Sequence, residues 1–343
     1  MKQDVRSLFE SNPINICVTG GAGFIGSHMV RRLFEAKKCG APIGHIVVYD
    51  KLTYAADLNR LKEVDYHLVE GDILDEVLLL STFEKFNISH IVHFAAESHV
   101  DRSLLDPTTF LTTNVLGTAK LLEASTQFWN NPNSKVENPL FIHISTDEVY
   151  GYTLKPAHEE SKLNPGNPYA ASKAAADQLV IAQINAHRFP AIILRSSNNY
   201  GSNQNPEKFI PKMMEQVIRG EPLTVYGKGE QKRCWLHVQD YVEVIWQLIL
   251  NPKKGQVFNI TGTEVYSNLA LAQMIKTIFA DIRGISIHNT SEIAFVEDRK
   301  AHDFFYNVSD EKIRTLFPIN KHTGTLADFI KSSFEENNDK CFF

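Results

Sequence analysis

The chain has 343 residues, of which 43% are hydrophobic and 22% charged, with a formal net charge of -5. This is globular composition, enough for one large domain or two closely joined ones, and the acidic balance lacks the basic stripe of a non-specific nucleic-acid binder. No apolar run approaches the roughly 20 residues of a membrane helix, and the N-terminal MKQDVRSLFESNP has no signal-peptide core, so a cytoplasmic protein without a membrane partner is expected.

The first half alternates short apolar runs with longer helical patterns. Strands are expected over 14–19, 45–50, 66–71, 90–95, 140–145 and 191–194, because each run is short, rich in β-branched or aromatic residues, and ends at a polar residue or glycine. Helices are expected over 24–36, 76–86, 114–128 and 169–187. Such alternation implies an α/β fold of Rossmann type, a doubly wound parallel sheet with ligands at the carboxyl ends of its strands. After about residue 199 the rhythm changes. Helical patterns at 207–219, 238–250, 268–280 and 325–336, short strands near 223–226 and 257–260, and frequent Pro and Gly suggest a smaller α+β lobe. The expected division is therefore a dinucleotide-binding domain with the catalytic residues over 1–199 and a substrate-binding lobe over 200–343, with segments free to cross between them. Cys17, Cys39, Cys234 and Cys341 form no C-x-x-C pair and no metal-ligand spacing, so no metal site is expected. Cys17, in an apolar run, reads as a small core residue in a protein from a reducing compartment.

The strand ending at Thr19 runs into Gly20-Gly21-Ala22-Gly23-Phe24-Ile25-Gly26. Early glycines allow a tight turn and close approach of backbone to a pyrophosphate. The last lets the following helix pack near the strand, and that helix offers free N–H groups to phosphate. The second strand ends at Asp50, whose carboxylate can accept from both adenosine ribose hydroxyls and would repel the extra phosphate of NADP. Asp50 lies 30 residues beyond Gly20, further than usual, and an insert at 37–44 accounts for the excess. Asp72, after the third strand, is placed to touch the adenine.

Tyr169-Ala-Ala-Ser-Lys173 sets a phenol and an ammonium four residues apart on one helix face. An isolated tyrosine, with a pKa of about 10, is no base near neutrality; a neighbouring cation stabilises its phenolate. Asp147 and Glu148 are adjacent carboxyls just past the fifth strand. Taken alone they would be a solvated loop pair as readily as an acid and a base.

With these motifs in place the chain resembles the extended short-chain dehydrogenase/reductase superfamily and, more narrowly, the dTDP-glucose 4,6-dehydratases. The matching segments are TGGAGFIGSH (19–28), YDKLTYA (49–55), GDI (71–73), FAAESHVDRS (94–103), TNVLGT (113–118), STDEVYG (145–151), NPYAASKAAAD (167–177), SSNNYG (196–201), PEKFIP (206–211), VYGKGEQKR (225–233) and EDRKAHD (297–303). They run over nearly the whole chain, and SHVDRS and STDEVYG are the more particular to the dehydratases.

The resemblance implies an internal redox cycle on an NDP-glucose. Tyr169 takes the carbon-4 hydroxyl proton while NAD takes the hydride, with Thr146 bonded to that hydroxyl and Lys173 supporting the phenolate. Glu148 removes the carbon-5 proton, Asp147 protonates the departing carbon-6 hydroxyl, and the hydride returns to carbon 6. The same resemblance implies that NAD is held by Gly20, Gly23, Phe24, Ile25, Gly26, Asp50, Lys51, Leu52, Thr53, Asp72, Ile73, Phe94, Ala95, Ala96, Glu97, Thr113, Tyr169, Lys173 and Asn199. The nucleotide-diphosphate hexose would meet Ser98, Thr146, Asn198, Lys208, Phe209, Thr224, Val225, Tyr226, Arg233, Asn268, Arg299 and His302. A homodimer paired through the helices at 114–128 and 169–187 is also implied. The run Gly201-Ser-Asn-Gln-Asn-Pro206 departs from the family's Gly-Pro-aromatic-Gln/His-aromatic-Pro, which leaves thymidine against uridine open. Other readings are a nucleotide-sugar 4-epimerase, which has no use for Asp147-Glu148, and a UDP-glucuronate decarboxylase, which usually carries serine in place of Asp147. A non-catalytic NAD-binding sensor is a third, although such proteins typically lose the tyrosine or the lysine.

Overall fold

The structure, a computed structural model, describes residues 13–317 and 324–336. Its strands are β1 (Ile14–Thr19), β2 (Ile43–Asp50), β3 (His67–Glu70), β4 (His90–His93), β5 (Leu140–Thr146), β6 (Ala191–Ser196), β7 (Asn198–Tyr200), β8 (Leu223–Tyr226), β9 (Lys232–His237), β10 (Gln256–Ile260), β11 (Glu264–Ser267) and β12 (Ile293–Val296). Its α-helices are α1 (Phe24–Lys38), α2 (Glu76–Phe86), α3 (Val100–Leu105), α4 (Pro107–Phe110), α5 (Gly117–Trp129), α6 (Pro168–His187), α7 (Phe209–Arg219), α8 (Val238–Leu250), α9 (Asn268–Arg283), α10 (Glu311–Leu316) and α11 (Leu326–Glu336). None of the described helices is long and apolar enough to cross a membrane.

Two compact units divide the chain, and neither is continuous in sequence. The first takes the described residues up to Val149 together with Asn167–Arg195 and Val242–Phe258. Its seven-stranded sheet has the order β10-β6-β5-β4-β1-β2-β3, with parallel pairing of β1 to β2 and β4, β2 to β3, and β4 to β5. The adjacency of β1 and β4 is the point where strand order reverses, and it opens a crevice at their carboxyl ends. Every residue of β4, β5 and β6 is buried, which is why these strands read as continuous rather than alternating apolar runs. On one face Phe83, Phe86, Leu121, Phe128 and Val180 of α2, α5 and α6 pack on Cys17, Val47, Ile91, Phe141 and Ile193. Each large side chain so buried contributes about 1.5–3 kcal/mol. Burial also pushes the Cys17 thiol up to about 12, so it serves as a small core residue; Cys341 lies outside the described residues. Elsewhere in this unit Arg32 of α1 donates to Glu243 of α8 at 2.6 Å and lies 5.0 Å above the Trp246 ring.

Local sequence sets the helix ends. Asp75 caps α2 by accepting from the Leu78 N–H, and Asn87 closes it in the left-handed region at φ 47°. Asn167 caps α6 ahead of Pro168 in the first turn. The insert at 37–44 lengthens α1 to Lys38 and adds a turn at Gly40, where φ is +89°, with Lys37 Nζ held on the Gly44 carbonyl at 2.6 Å. The helix expected from residue 114 begins instead as a π-helical turn at Leu111–Leu116 and passes into α5.

The second unit holds Tyr150–Gly166, Ser196–Tyr241 and the described residues from Asn259 onward. It contains a three-stranded sheet, β11-β9-β7, and a parallel pair, β12-β8. Its core gathers Ile210, Met213 and Val217 of α7, Leu271, Ile275 and Phe279 of α9, and Leu326, Ile330 and Phe334 of α11 around Val225 and Trp235. The strand expected at 257–260 among second-lobe elements is β10, the edge of the seven-stranded sheet beside β6. A five-residue strand carries no signal of which sheet it joins, and here pairing with β6 decided it.

Three histidines of the first unit, His90, His93 and His143, are almost fully buried. Thr118 donates its hydroxyl to the Asn114 carbonyl at 2.6 Å, so it accepts from His93 Nε2–H at 3.0 Å, and His93 Nδ1 accepts from Thr19 at 2.7 Å. His93 is thus neutral, with its tautomer fixed by its partners. Burial lowers His90 to about 3 and His143 to about 4, and holds His93 well below the ordinary imidazole value. Above pH ~6.5 folded and unfolded imidazoles are both neutral; below it the unfolded chain binds protons that the folded one refuses. We therefore expect the thermal midpoint to fall steadily between pH ~6.5 and ~4. His143→Phe should make that fall shallower, and an unchanged slope would contradict the assignment.

Candidate active site

At the carboxyl end of β1, Gly20 adopts φ +69° and its N–H donates to the Tyr49 carbonyl at 2.9 Å. A Cβ here would stand 2.7 Å from the Ala95 amide nitrogen, so glycine is required where this turn meets the segment after β4. A Cβ on Gly26 would collide with the Gly20 carbonyl, which is how α1 comes so near the strand. Gly23 is the N-cap of α1 and offers no side-chain acceptor, and no acidic residue occupies the first turn. The helix start, with Phe24 and Ile25 half-buried, therefore suits an anionic group. Asp50, 8% exposed, accepts from Ala22 N–H through Oδ2 and from Leu52 N–H through Oδ1, both at 2.9 Å. Each oxygen keeps a lone pair for a ribose hydroxyl. Asp72 accepts from Leu74 N–H at 3.0 Å and pairs with Lys51 at 2.7 Å, so Lys51 is already engaged by a carboxylate. Thr53 is exposed, Ile73 buried, and Phe94, Ala95, Ala96, Glu97 and Thr113 half-buried. Glu97 exchanges two backbone hydrogen bonds with the Asn114 amide, at 2.8 and 3.0 Å. A strand–glycine turn–helix with a carboxylate ending the next strand fits a dinucleotide.

The second group lies at the end of β5. Thr146 and Asp147 are 7% and 2% exposed. Thr146 donates its hydroxyl to Asp147 Oδ1 at 3.3 Å and accepts from the Glu148 N–H at 3.2 Å. The expected loop is a 3-10 turn at Asp147–Tyr150. Asn167, the cap of α6, donates its amide to Glu148 Oε2 at 3.2 Å while accepting from the Ala170 N–H at 2.9 Å. On α6, Lys173 is 4% exposed and donates to the Ile144 carbonyl at 2.6 Å, which ties the Tyr169–Lys173 face to β5. Burial lowers Lys173 to about 8, with Asp177 pushing the other way. Tyr169 is half-buried, edge-on to Phe110 at 6.4 Å, and its carbonyl accepts from Ser172 at 2.7 Å. Ser98 is exposed on the segment after β4.

In the second unit Asn198 and Asn199 lie on β7. Asn199 donates to Ser196 and Ser197 at 3.2 and 3.0 Å, while its Oδ1 is buried without a hydrogen bond among the described residues. Tyr226, Arg299 and His302 come together: the Arg299 guanidinium lies 5.2 Å over the Tyr226 ring and His302 meets that ring edge-on at 6.3 Å. His302 Nδ1 is 2.7 Å from Asp298 Oδ1, and Gln231 donates to the other Asp298 oxygen at 3.0 Å. Burial lowers His302, aided by Arg233 and Arg299 and opposed by Asp298. Neutral His302 therefore donates Nδ1–H to Asp298 and presents Nε2 as an acceptor. Arg233 donates to the Lys232 and Asp303 carbonyls at 2.7 and 3.2 Å and stacks 4.3 Å from Tyr306. Thr224 and Val225 share β8 with Tyr226; Lys208 caps α7 ahead of Phe209, and Asn268 opens α9.

Four residues with a part in these groups escaped the sequence reading. Asn167 had a signal, an Asn-Pro helix start, but nothing local linked it to Glu148. Asp298 sits four residues before His302, a spacing that means little off a helix. Arg60, 8% exposed, donates to the Ala22 and Ala55 carbonyls at 3.1 and 2.7 Å and so braces the glycine turn from a segment with no motif. Ser145 is buried with its Oγ unbonded among the described residues, beside Thr146 and suited to an amide. We expect Asp50→Ala to weaken NAD binding roughly tenfold or more, as loss of hydrogen bonds to a charged group requires, in a fluorescence titration. Unchanged affinity would mean the ribose is held elsewhere.

The chain's relatives bear on what these groups do. The family model described as GDP-mannose 4,6 dehydratase matches residues 17–317. A dTDP-glucose 4,6-dehydratase of Neisseria gonorrhoeae is 40% identical over 315 residues, 88% of this chain and 89% of the relative. Another from Streptomyces niveus is 40% identical over 308 residues, with 88% and 86% covered. Among solved structures, DesIV, a dTDP-glucose 4,6-dehydratase from Streptomyces venezuelae with NAD bound, superposes at a TM-score of 0.84. It has 35% identity and covers 95% of this chain and 98% of its own. With the glycine turn, Asp50, the β5 carboxyls and the Tyr169–Lys173 helix, these likenesses assign the chain to the GDP-mannose 4,6 dehydratase family of extended short-chain dehydrogenases/reductases, among relatives that are dTDP-glucose 4,6-dehydratases.

Proposed function

We propose that the chain is an NAD-dependent nucleotide-sugar 4,6-dehydratase, converting an NDP-glucose to the NDP-4-keto-6-deoxy sugar and water, with dTDP-glucose the preferred substrate and UDP-glucose the alternative. The observation that carries this reading is the β5 terminus, where Thr146, Asp147 and Glu148 are bonded to one another and to the cap of the catalytic helix. An epimerase needs no such pair of carboxyls, and a decarboxylase usually has serine at Asp147. Bound NAD supplies the hydride acceptor for carbon 4 and the hydride donor for carbon 6.

The chain's own residues handle the protons. Tyr169, beside the Lys173 ammonium, takes the proton of the carbon-4 hydroxyl, and Thr146 holds that oxygen. The ketone so formed acidifies the carbon-5 hydrogen. Glu148, oriented by the Asn167 amide, removes it and later returns it. Asp147, the more buried carboxyl, protonates the leaving carbon-6 hydroxyl, the role the resemblance to the dehydratases implies for it. Over one turnover Asp147 loses a proton and Tyr169 gains one, so a proton passes from Tyr169 to Asp147 before the next cycle. Lys208, Arg233 and Arg299 suit the diphosphate, Asn198 and Asn268 the sugar and ribose, and residues 224–226 the base. His302, an acceptor at Nε2, suits a hydroxyl or an N–H rather than a phosphate oxygen. Ser145 Oγ, buried without a hydrogen bond among the described residues, suits the nicotinamide amide. The reading includes a homodimer paired through the segments at 114–128 and 169–187, working in the cytoplasm.

We expect Asp147→Asn/Glu148→Gln to bind NAD and oxidise carbon 4 but stall there, so that reduced cofactor accumulates on the enzyme in stopped-flow absorbance. Near-normal turnover would show that other residues carry the elimination. Light scattering at micromolar concentration should give twice the 38.8 kDa chain mass; a monomeric mass would remove the dimer.

A further inference from the structure

Beneath the β5 cluster the first unit buries polar side chains that no step above uses. His143 on β5 and Asp177 on α6 are 0% exposed, and Arg195 on β6 is 2% exposed. Arg195 Nε donates to Asp177 Oδ2 at 2.8 Å. His143 Nε2 lies 3.4 Å from the other oxygen, an electrostatic contact rather than an aligned hydrogen bond. Asp177 follows Lys173 by four residues, one turn along the same face of α6. The carbonyl that receives the Lys173 ammonium belongs to Ile144, next to His143 on β5. Two cations, Lys173 and Arg195, thus share the buried seam between this helix and strands β5 and β6, and Asp177 is the carboxylate set among them.

We propose that Asp177 is a positioning residue for the reaction: held by Arg195 and flanked by His143, it is the buried counter-charge that keeps Lys173 an ammonium on the Ile144 carbonyl and so keeps Tyr169 competent as a base. The inference rests on the function proposed above. The titratable groups around Lys173 are His93 from β4, His143 from β5, and Tyr169 and Asp177 from α6, with Arg195 of β6 behind Asp177. The buried polar side chains of α3, the π-helical turn and α5 are Ser103, Asn114, Thr118 and Ser125, all uncharged. Both histidines are held neutral by burial and by the nearby ammonium. Burial brings Lys173 down to about 8 against the pull of Asp177, so its charge at neutral pH has little margin. Burial pushes the Asp177 carboxyl up, but the hydrogen-bonded pairing with Arg195 outweighs it and keeps the carboxyl below its ordinary value.

Asp177→Asn alone would strand Arg195 in the core, and an unfolded variant would say nothing about catalysis. The informative variant is Asp177→Leu/Arg195→Met, which replaces both charges by apolar side chains of similar size. We expect it to fold with a near-wild-type thermal midpoint. The Lys173 ammonium, followed by NMR in 15N-lysine-labelled protein, should lose its proton at a pH lower by about one unit or more. With NDP-glucose, kcat at neutral pH should fall roughly tenfold with KM nearly unchanged, and the alkaline limb of the kcat profile should move to lower pH. Asp177→Glu, which keeps the charge and the Arg195 pairing, should retain the Lys173 midpoint and most of kcat. A folded double variant with wild-type Lys173 titration overturns the proposal, as does an Asp177→Glu enzyme that titrates normally yet has lost kcat. The two readings fail separately: wild-type protein that does not turn over NDP-glucose sinks the dehydratase reading, while the Lys173 titration still decides the role of Asp177.

Discussion

The hydrogen bond from the Lys173 ammonium to the Ile144 carbonyl is the constraint on which the rest of the site depends. It fixes helix α6, which carries Tyr169 and Lys173, to the carboxyl end of β5 with a buried cation. A second tie, from the Asn167 cap to Glu148, fixes the start of the same helix to the turn that follows the strand. Between these two anchors run Thr146, Asp147, Glu148 and Tyr169. A buried ammonium is costly unless satisfied. Asp177, itself held by Arg195, is the counter-charge we propose for it.

The dinucleotide cradle obeys a different constraint, one of space. Gly20 and Gly26 leave no room for a side chain, because β1, α1 and the segment after β4 converge on one turn. Asp50 does double duty there: its carboxylate holds the turn through the Ala22 amide and still has lone pairs for a ribose. Arg60 braces the same turn through the Ala22 carbonyl. Cofactor retention matters in this chemistry, since the hydride taken at carbon 4 has to be given back at carbon 6.

Much of this was readable in the sequence where the signal is local. The strand at Ile14–Thr19, the helices Glu76–Phe86 and Val238–Leu250 and the strand Leu223–Tyr226 stand where period and punctuation put them. The glycine turn follows its strand, and Tyr169 and Lys173 lie on one helix because four residues make a turn. Non-local choices were not readable. Nothing in Gln256–Ile260 says that it pairs with β6, and β7, at three residues, is too short to announce itself. The strands β9 and β11 carry Lys232, Arg233 and Glu264 and read as loop. The bonds Asn167–Glu148 and Asp298–His302 depend on how turns fold back. They became visible only with the side chains in place.

In the proposed cycle one hydride leaves carbon 4 and arrives at carbon 6 of the same sugar. Incubating the enzyme with dTDP-glucose deuterated at carbon 4 and locating the label by NMR tests it directly. We expect a 4-keto-6-deoxy product with the deuterium on carbon 6 and no net reduction of cofactor. An intact hexose with the deuterium back on carbon 4, as an epimerase would return it, would rule out the dehydratase cycle.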